Sequence, residues 1–143
     1  MMTASARYSH LMALDEELLK GGVMLSEWCS IIVRETDCAF VSGAHLATIV
    51  TAVAGIETYL RSAYPGESHS RLIDLIDSSL LSDDLKADLH KLRRYRNGWV
   101  HLDAPHSDDM ITQNTKSLEA ELEFMAFFAA RALRKTIYSE QCA

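Results

Sequence analysis

Two apolar rows in this chain are each interrupted by a single charge, and the two charges have opposite sign. Between Leu46 and Tyr64, the residues Leu46, Val50, Val53, Leu60 and Tyr64 recur at the spacing that lines one face of an α-helix, and the missing step falls on Glu57. The row Leu85, Leu89, Leu92, Trp99 is broken in the same way by Arg96. An unpaired buried charge costs several kcal/mol, on the order of the whole stability of a small domain. The two positions are therefore expected to face each other inside a helical bundle as a buried Arg96–Glu57 pair.

A chain of 143 residues is long enough for one domain with a core of its own, burying roughly 70% of the surface its unfolded form exposes. Apolar residues make up 48% and charged residues 24%, which excludes disordered and low-complexity classes. No apolar run reaches the roughly 18 residues that span a bilayer, Ala39–Gly55 being interrupted by Ser42 and His45. The start of the chain carries neither a basic region nor an apolar leader, so no membrane association and a cytoplasmic location are expected. The three cysteines Cys29, Cys38 and Cys142 form no CxxC pair, which argues against a disulfide framework and a zinc ribbon; Cys29 and Cys38 are expected in the core. A formal net charge of −6 is unlike a general polyanion binder, so any nucleic-acid contact must come from a local patch.

Two prolines and six glycines punctuate a pattern that is otherwise helical. A first helical stretch is expected over about residues 6–36, with Leu11, Leu14, Leu18, Leu25, Trp28 and Ile32 inward and a bend or break at Gly21-Gly22. Ser42 is a candidate cap for a second helix that ends near Tyr64, where Pro65-Gly66 stops it. A short helix follows over about residues 70–80, then a fourth capped by Ser82 with Asp83 and Asp84 in its first turn. Asn97-Gly98 reads as a turn signal, His101–Thr112 as a loop, and about residues 114–138 as the last helix, with Leu118, Leu122, Met125, Ala129, Ala132 and Leu133 inward. No segment alternates like a strand and no period repeats, so the fold class is all-α: an up-and-down bundle of four to five helices in a single domain over residues 1–143. Phe124, Phe127 and Phe128 widen the last apolar face, either to fill the core or to form a homodimer interface.

Lys91, Arg93, Arg94 and Arg96 form the positive patch of an acidic chain, with no acidic residue until Asp103. A run of this kind is usually a solvated helix face. At about 100° per residue, His90, Arg94, Asn97 and His101 share one polar row, while Arg96 and His101 point roughly 140° apart in a straight helix. For both to act on one substrate, the helix must break at Gly98 or a second copy of the chain must contribute.

The string Arg96-Asn97-Gly98-Trp99-Val100-His101 resembles the Arg-x4-6-His motif of HEPN domains, helical bundles in which a polar residue typically follows the arginine. A preceding helix with an inward acid, here Glu57, and a closing last helix extend the resemblance over about residues 40–138. The resemblance implies a metal-independent endoribonuclease without cofactors, its arginine and histidine meeting across a homodimer interface, with Arg96, His101 and Asn97 catalytic. It also makes a toxin–antitoxin or phage-defence setting an expectation, with an antitoxin or a nucleotidyltransferase as partner protein. Histidine is the side chain whose ordinary pKa suits proton transfer near neutrality, and a guanidinium is a planar, permanent charge for the phosphorane formed when a 2′-hydroxyl attacks. Asn97 would orient the phosphate or the histidine, Glu57 would hold Arg96 in place, and Lys91, Arg93 and Arg94 would bind the RNA. The alternative is a non-catalytic HEPN module for nucleotide or RNA binding or for dimerisation. A third reading makes Arg96–Glu57 purely structural, with His101 capping the helix end.

Other chemistries find less. A di-metal bundle needs Glu-x-x-His on two helices, and the chain has none. His101, Asp103, His106 and Asp108 could crowd a cation only from a flexible loop, so no metal is expected. His10, His45 and His69 stand alone and are expected at the surface or as caps.

Overall fold

The computed structural model describes residues 1–64 and 71–142. They form seven helices: α1 (Ala4–Leu18), α2 (Glu27–Ser42), α3 (His45–Ala63), α4 (Leu72–Ser78), α5 (Asp83–Val100), α6 (Asp109–Gln113) and α7 (Thr115–Ile137). The chain is all-helical over these residues, and none of the described helices is long and apolar enough to cross a membrane. Hydroxyl caps start three helices: Thr3 accepts from the Ala6 N–H, Ser26 from Cys29 and Ser82 from Leu85, the last followed by Asp83 and Asp84 at the positive end of the helix dipole.

The expected first helical stretch is two helices. The break spans residues 19–26, and the end of the chain holds it: Gly22 and Cys142 exchange backbone hydrogen bonds of 3.0 and 2.7 Å. The side chain of Gln141 accepts from the N–H of Lys20 and Gly21 and donates to the Leu18 carbonyl, an acceptor that the end of α1 leaves open. Ser42 does not cap α3; it is the last residue of α2, which ends because Gly43 turns left-handed at φ 84° and donates its N–H back to the Phe40 carbonyl. A Cβ on Gly43 would be strained by that φ and would sit 3.2 Å from the Arg7 guanidinium. The Pro65-Gly66 stop and His69 lie outside the described residues. The expected 101–112 loop contains α6, and the expected turn at Asn97-Gly98 lies within α5.

Helix α3 is the centre, packed most extensively on α2 and α7. Its buried face is His45, Thr48, Ile49, Ala52, Val53, Gly55, Ile56 and Leu60. A Cβ on Gly55 would meet Leu133 at 3.1 Å and Ile32 at 3.2 Å, so glycine sets how closely the three helices approach. Of the row expected to face inward, Val53 and Leu60 are buried, while Leu46, Val50 and Tyr64 are half-buried at the margin of the face, and Glu57 sits on that margin. In α5, Leu85, Leu89 and Leu92 are buried, while Arg96 and Trp99 are half-buried. Two further expectations are corrected: Trp28 is 77% exposed, and Cys38 is exposed while Cys29 is buried; Phe124, at 62% exposed, does not fill the core, while Phe127 and Phe128 pack half-buried against it. Helix α2 buries Cys29, Thr36 and Phe40 instead, a face that Trp28 and Cys38 do not share.

Two polar nodes cross the core. Arg134, on the buried face of α7, donates twice to the Asp37 carboxylate at 2.7 and 2.9 Å and from Nε to Asp15 at 2.9 Å, tying α7 to α2 and α1. Tyr138 donates to the same Asp15 oxygen at 2.7 Å. Burial alone would lower the Arg134 pKa; the bonds and charges of Asp37 and Asp15 outweigh it and raise the value. At the second node, Arg7 bonds the carbonyls of Val41 and Met2, and Glu123 lies 3.9 Å from Arg7 and 3.6 Å from His45. His45 was expected at a surface or cap and is buried instead, because it opens α3 against Phe40. Burial lowers its pKa, with Glu123 opposing and Arg7 adding to the shift.

Candidate nucleic-acid site at the end of helix α5

Past Leu92, helix α5 leaves the core, and its last two turns present the basic and polar residues singled out in the sequence. Glu57 does not meet Arg96. Its carboxylate is bonded to Arg61 at 2.6 Å, one turn along α3, and both side chains are about a third exposed at 32% and 33%. At the margin of the α3 face, Glu57 reaches a neighbour on its own helix and keeps contact with water. Arg96 is half-buried, its Nε donating to the Asn97 side-chain oxygen at 2.9 Å. Among the described residues no carboxylate lies within ion-pair reach of its guanidinium.

Asn97 continues the helix, its carbonyl accepting from the His101 N–H at 3.0 Å. A single exposed glycine does not end a helix whose backbone ladder is intact on both sides, and Gly98 is helical here. His101 is the C-cap residue, and its imidazole is exposed, with no hydrogen bond among the described residues. The structure thus brings Arg96 and Asn97 together and leaves His101 apart at the end of the same helix. His90, from the polar row, is taken up by Asp77 of α4 at 2.7 Å.

The three residues expected to bind RNA have different surroundings. Lys91 holds its ammonium 5.0 Å above the Phe128 ring. Arg93 is half-buried, and its Nε is buried without a hydrogen-bond partner. Arg94 is exposed and borders a cleft of about 380 Å³ between the end of α5, residues 102–108, α6 and the start of α7. Trp99, Leu102, Ile111 and Leu118 line it, and the Tyr95 hydroxyl donates to Glu121 across it at 2.9 Å. Burial pushes the Tyr95 phenol above its ordinary pKa, Trp99 pulling the other way and the Glu121 carboxylate adding to the rise.

His101, Asp103, His106 and Asp108 are all exposed, and no three potential metal ligands cluster among the described residues. Sequence reasoning did not find the cleft, although Tyr95 and Trp99 stand one helical turn apart and place two aromatic rings with polar tips on one side of α5. No family model, curated protein or solved structure matches the chain.

Proposed function

We infer that the chain is a HEPN-type endoribonuclease acting without a metal, its site assembled where the Arg96, Asn97 and His101 segments of two protomers meet. The observation that carries this reading is the Arg96 guanidinium, half-buried, tethered by Asn97 and without an acidic partner among the described residues. An arginine kept for structure is normally satisfied by a carboxylate, as Arg134 is. One left with its fork open, on an acidic chain, suits an anion arriving from outside. Because α5 runs unbroken through Gly98, two copies of the chain are the route by which arginine and histidine reach one phosphate.

In the reaction that fits, one His101 takes the proton of the RNA 2′-hydroxyl and the 2′-oxygen attacks phosphorus. The bond to the 5′-oxygen breaks, and that oxygen takes a proton from the second, protonated His101. A 2′,3′-cyclic phosphate and a 5′-hydroxyl remain. Arg96 meets the charge that grows on the phosphorane. The test is labelled RNA in EDTA with the wild type, His101→Ala and Arg96→Ala: cleavage is expected from the wild type and a loss of about 10²-fold or more in each variant. Cleavage that stops in EDTA, or persists in His101→Ala, refutes the reading.

A second reading has its own support. Among the described residues no hydrogen bond to the His101 ring fixes which nitrogen carries the proton, as a positioned general base normally requires. A non-catalytic RNA-binding or dimerisation module accounts for that, and RNA binding without cleavage by the wild type would select it.

A further inference from the structure

We propose that the cleft beside Arg94 is a guanine-binding subsite, read by the carboxylate of Glu121. This rests on the ribonuclease reading for its place beside the scissile phosphate, and the base choice follows from the cleft itself. About 380 Å³ is the scale of a small-ligand pocket, and this one is mostly apolar, with Trp99, Leu102, Ile111 and Leu118 in its lining. Aromatic and apolar walls favour a flat heterocycle, and a nucleobase stacks on an aromatic ring whatever its identity.

Selection must come from the polar rim, where the structure supplies a cation and a fixed acceptor. Arg94 stands at the edge, in position for a phosphate attached to the base. The Glu121 carboxylate is held by the Tyr95 hydroxyl through Oε2 at 2.9 Å, and its Oε1 has no partner among the described residues. An ionised carboxylate only accepts hydrogen bonds. Of the four bases, guanine alone presents two adjacent donors, N1–H and the N2 amino group, on its Watson–Crick edge. Adenine and cytosine place an acceptor nitrogen beside their amino group, and uracil flanks its one N–H with two carbonyl oxygens. Each of these would turn a lone pair toward the Glu121 carboxylate, which can only accept, so the second contact is repulsive rather than a hydrogen bond.

The experiment measures binding of GMP, AMP, CMP and UMP to the full chain by calorimetry, with the Trp99 indole NMR signal as the local readout. GMP is expected to bind at least about tenfold more tightly than the other three and to shift that signal. Glu121→Gln, a change at an exposed position that leaves the core intact, is expected to remove the preference while stacking keeps some affinity for every nucleotide. Equal affinities, no detectable GMP binding, or a preference that survives Glu121→Gln overturns the proposal. Mononucleotide binding requires no cleavage, so the two readings fail separately. A chain that prefers GMP and never cuts RNA keeps the subsite and loses the nuclease; one that cuts RNA without preferring GMP keeps the nuclease and loses the subsite.

Discussion

The Arg96 Nε–H donates to the side-chain oxygen of Asn97 at 2.9 Å, a bond between neighbours that fixes the guanidinium plane, and its two terminal nitrogens have no partner among the described residues. Asn97 is therefore a positioning residue for the arginine. Asn97→Ala should lower RNA cleavage by about tenfold or more, mainly in kcat, since a misplaced charge stabilises the transition state less. Asn97→Asp, which keeps an acceptor at the same position, should recover part of the rate. Equal losses in both variants would show that the bond to Arg96 is irrelevant.

The ion pair that organises the core is Arg134 with Asp37 and Asp15. Arg134→Met leaves two carboxylates that still reach water, their side chains 28% and 33% exposed, so a loss of about 3 kcal/mol in urea unfolding is expected. Arg134→Lys should restore only part of it, because an ammonium cannot bond both Asp37 oxygens and Asp15 in one plane. A loss below about 1 kcal/mol for Arg134→Met would remove this node from the stability of the fold.

Glu57→Ala should be nearly silent. With Arg61 as its partner on the same helix, and both side chains about a third exposed at 32% and 33%, the change should cost less than about 1 kcal/mol. The buried Arg96–Glu57 pair expected from the apolar rows would have cost about 3–5 kcal/mol, so a thermal-melt comparison separates the two arrangements.

The helical class, the Ser82 cap, the stop of α3 near Tyr64 and the extent of α7 follow from periodicity and cap chemistry, which are local. The inward direction of α3 is not local. Its face turns on Ala52, Gly55 and Ile56, because a glycine between Ile32 and Leu133 permits close approach, whereas the sequence row was weighted toward the larger Leu46 and Val50. Rotating the face by that one step moves Glu57 to the margin. The same signal, a charge within an apolar row, stands at Arg134 among Ala130, Leu133 and Ile137, but its partners Asp15 and Asp37 lie 119 and 97 residues away in the chain. At the candidate site, the Arg96–Asn97 contact joins sequence neighbours, while the cleft needs α5, α6 and α7 together.

His45 makes stability depend on pH. Burial holds its folded-state pKa below the ordinary value of 6.5, so the unfolded chain takes the proton first. The stabilisation is complete above about pH 6.5 and is lost as the pH falls through the lower folded value. The melting temperature of the wild type should therefore drop more steeply from pH 7 toward pH 5 than that of His45→Phe, whose ring can pack on Phe40 without titrating. Parallel pH profiles would show that Glu123 beside His45 cancels the effect.

The central claim, that Arg96 and His101 serve RNA cleavage through the 2′-hydroxyl, is tested most directly by mass spectrometry of RNA fragments made in EDTA. One substrate is all-ribose, and the other carries a single 2′-deoxy sugar at the cleaved position. The account predicts fragments ending in a 2′,3′-cyclic phosphate and a 5′-hydroxyl from the first, and an uncut bond at the deoxy position in the second. Fragments carrying a 5′-phosphate, or cleavage at the deoxy position, would contradict it.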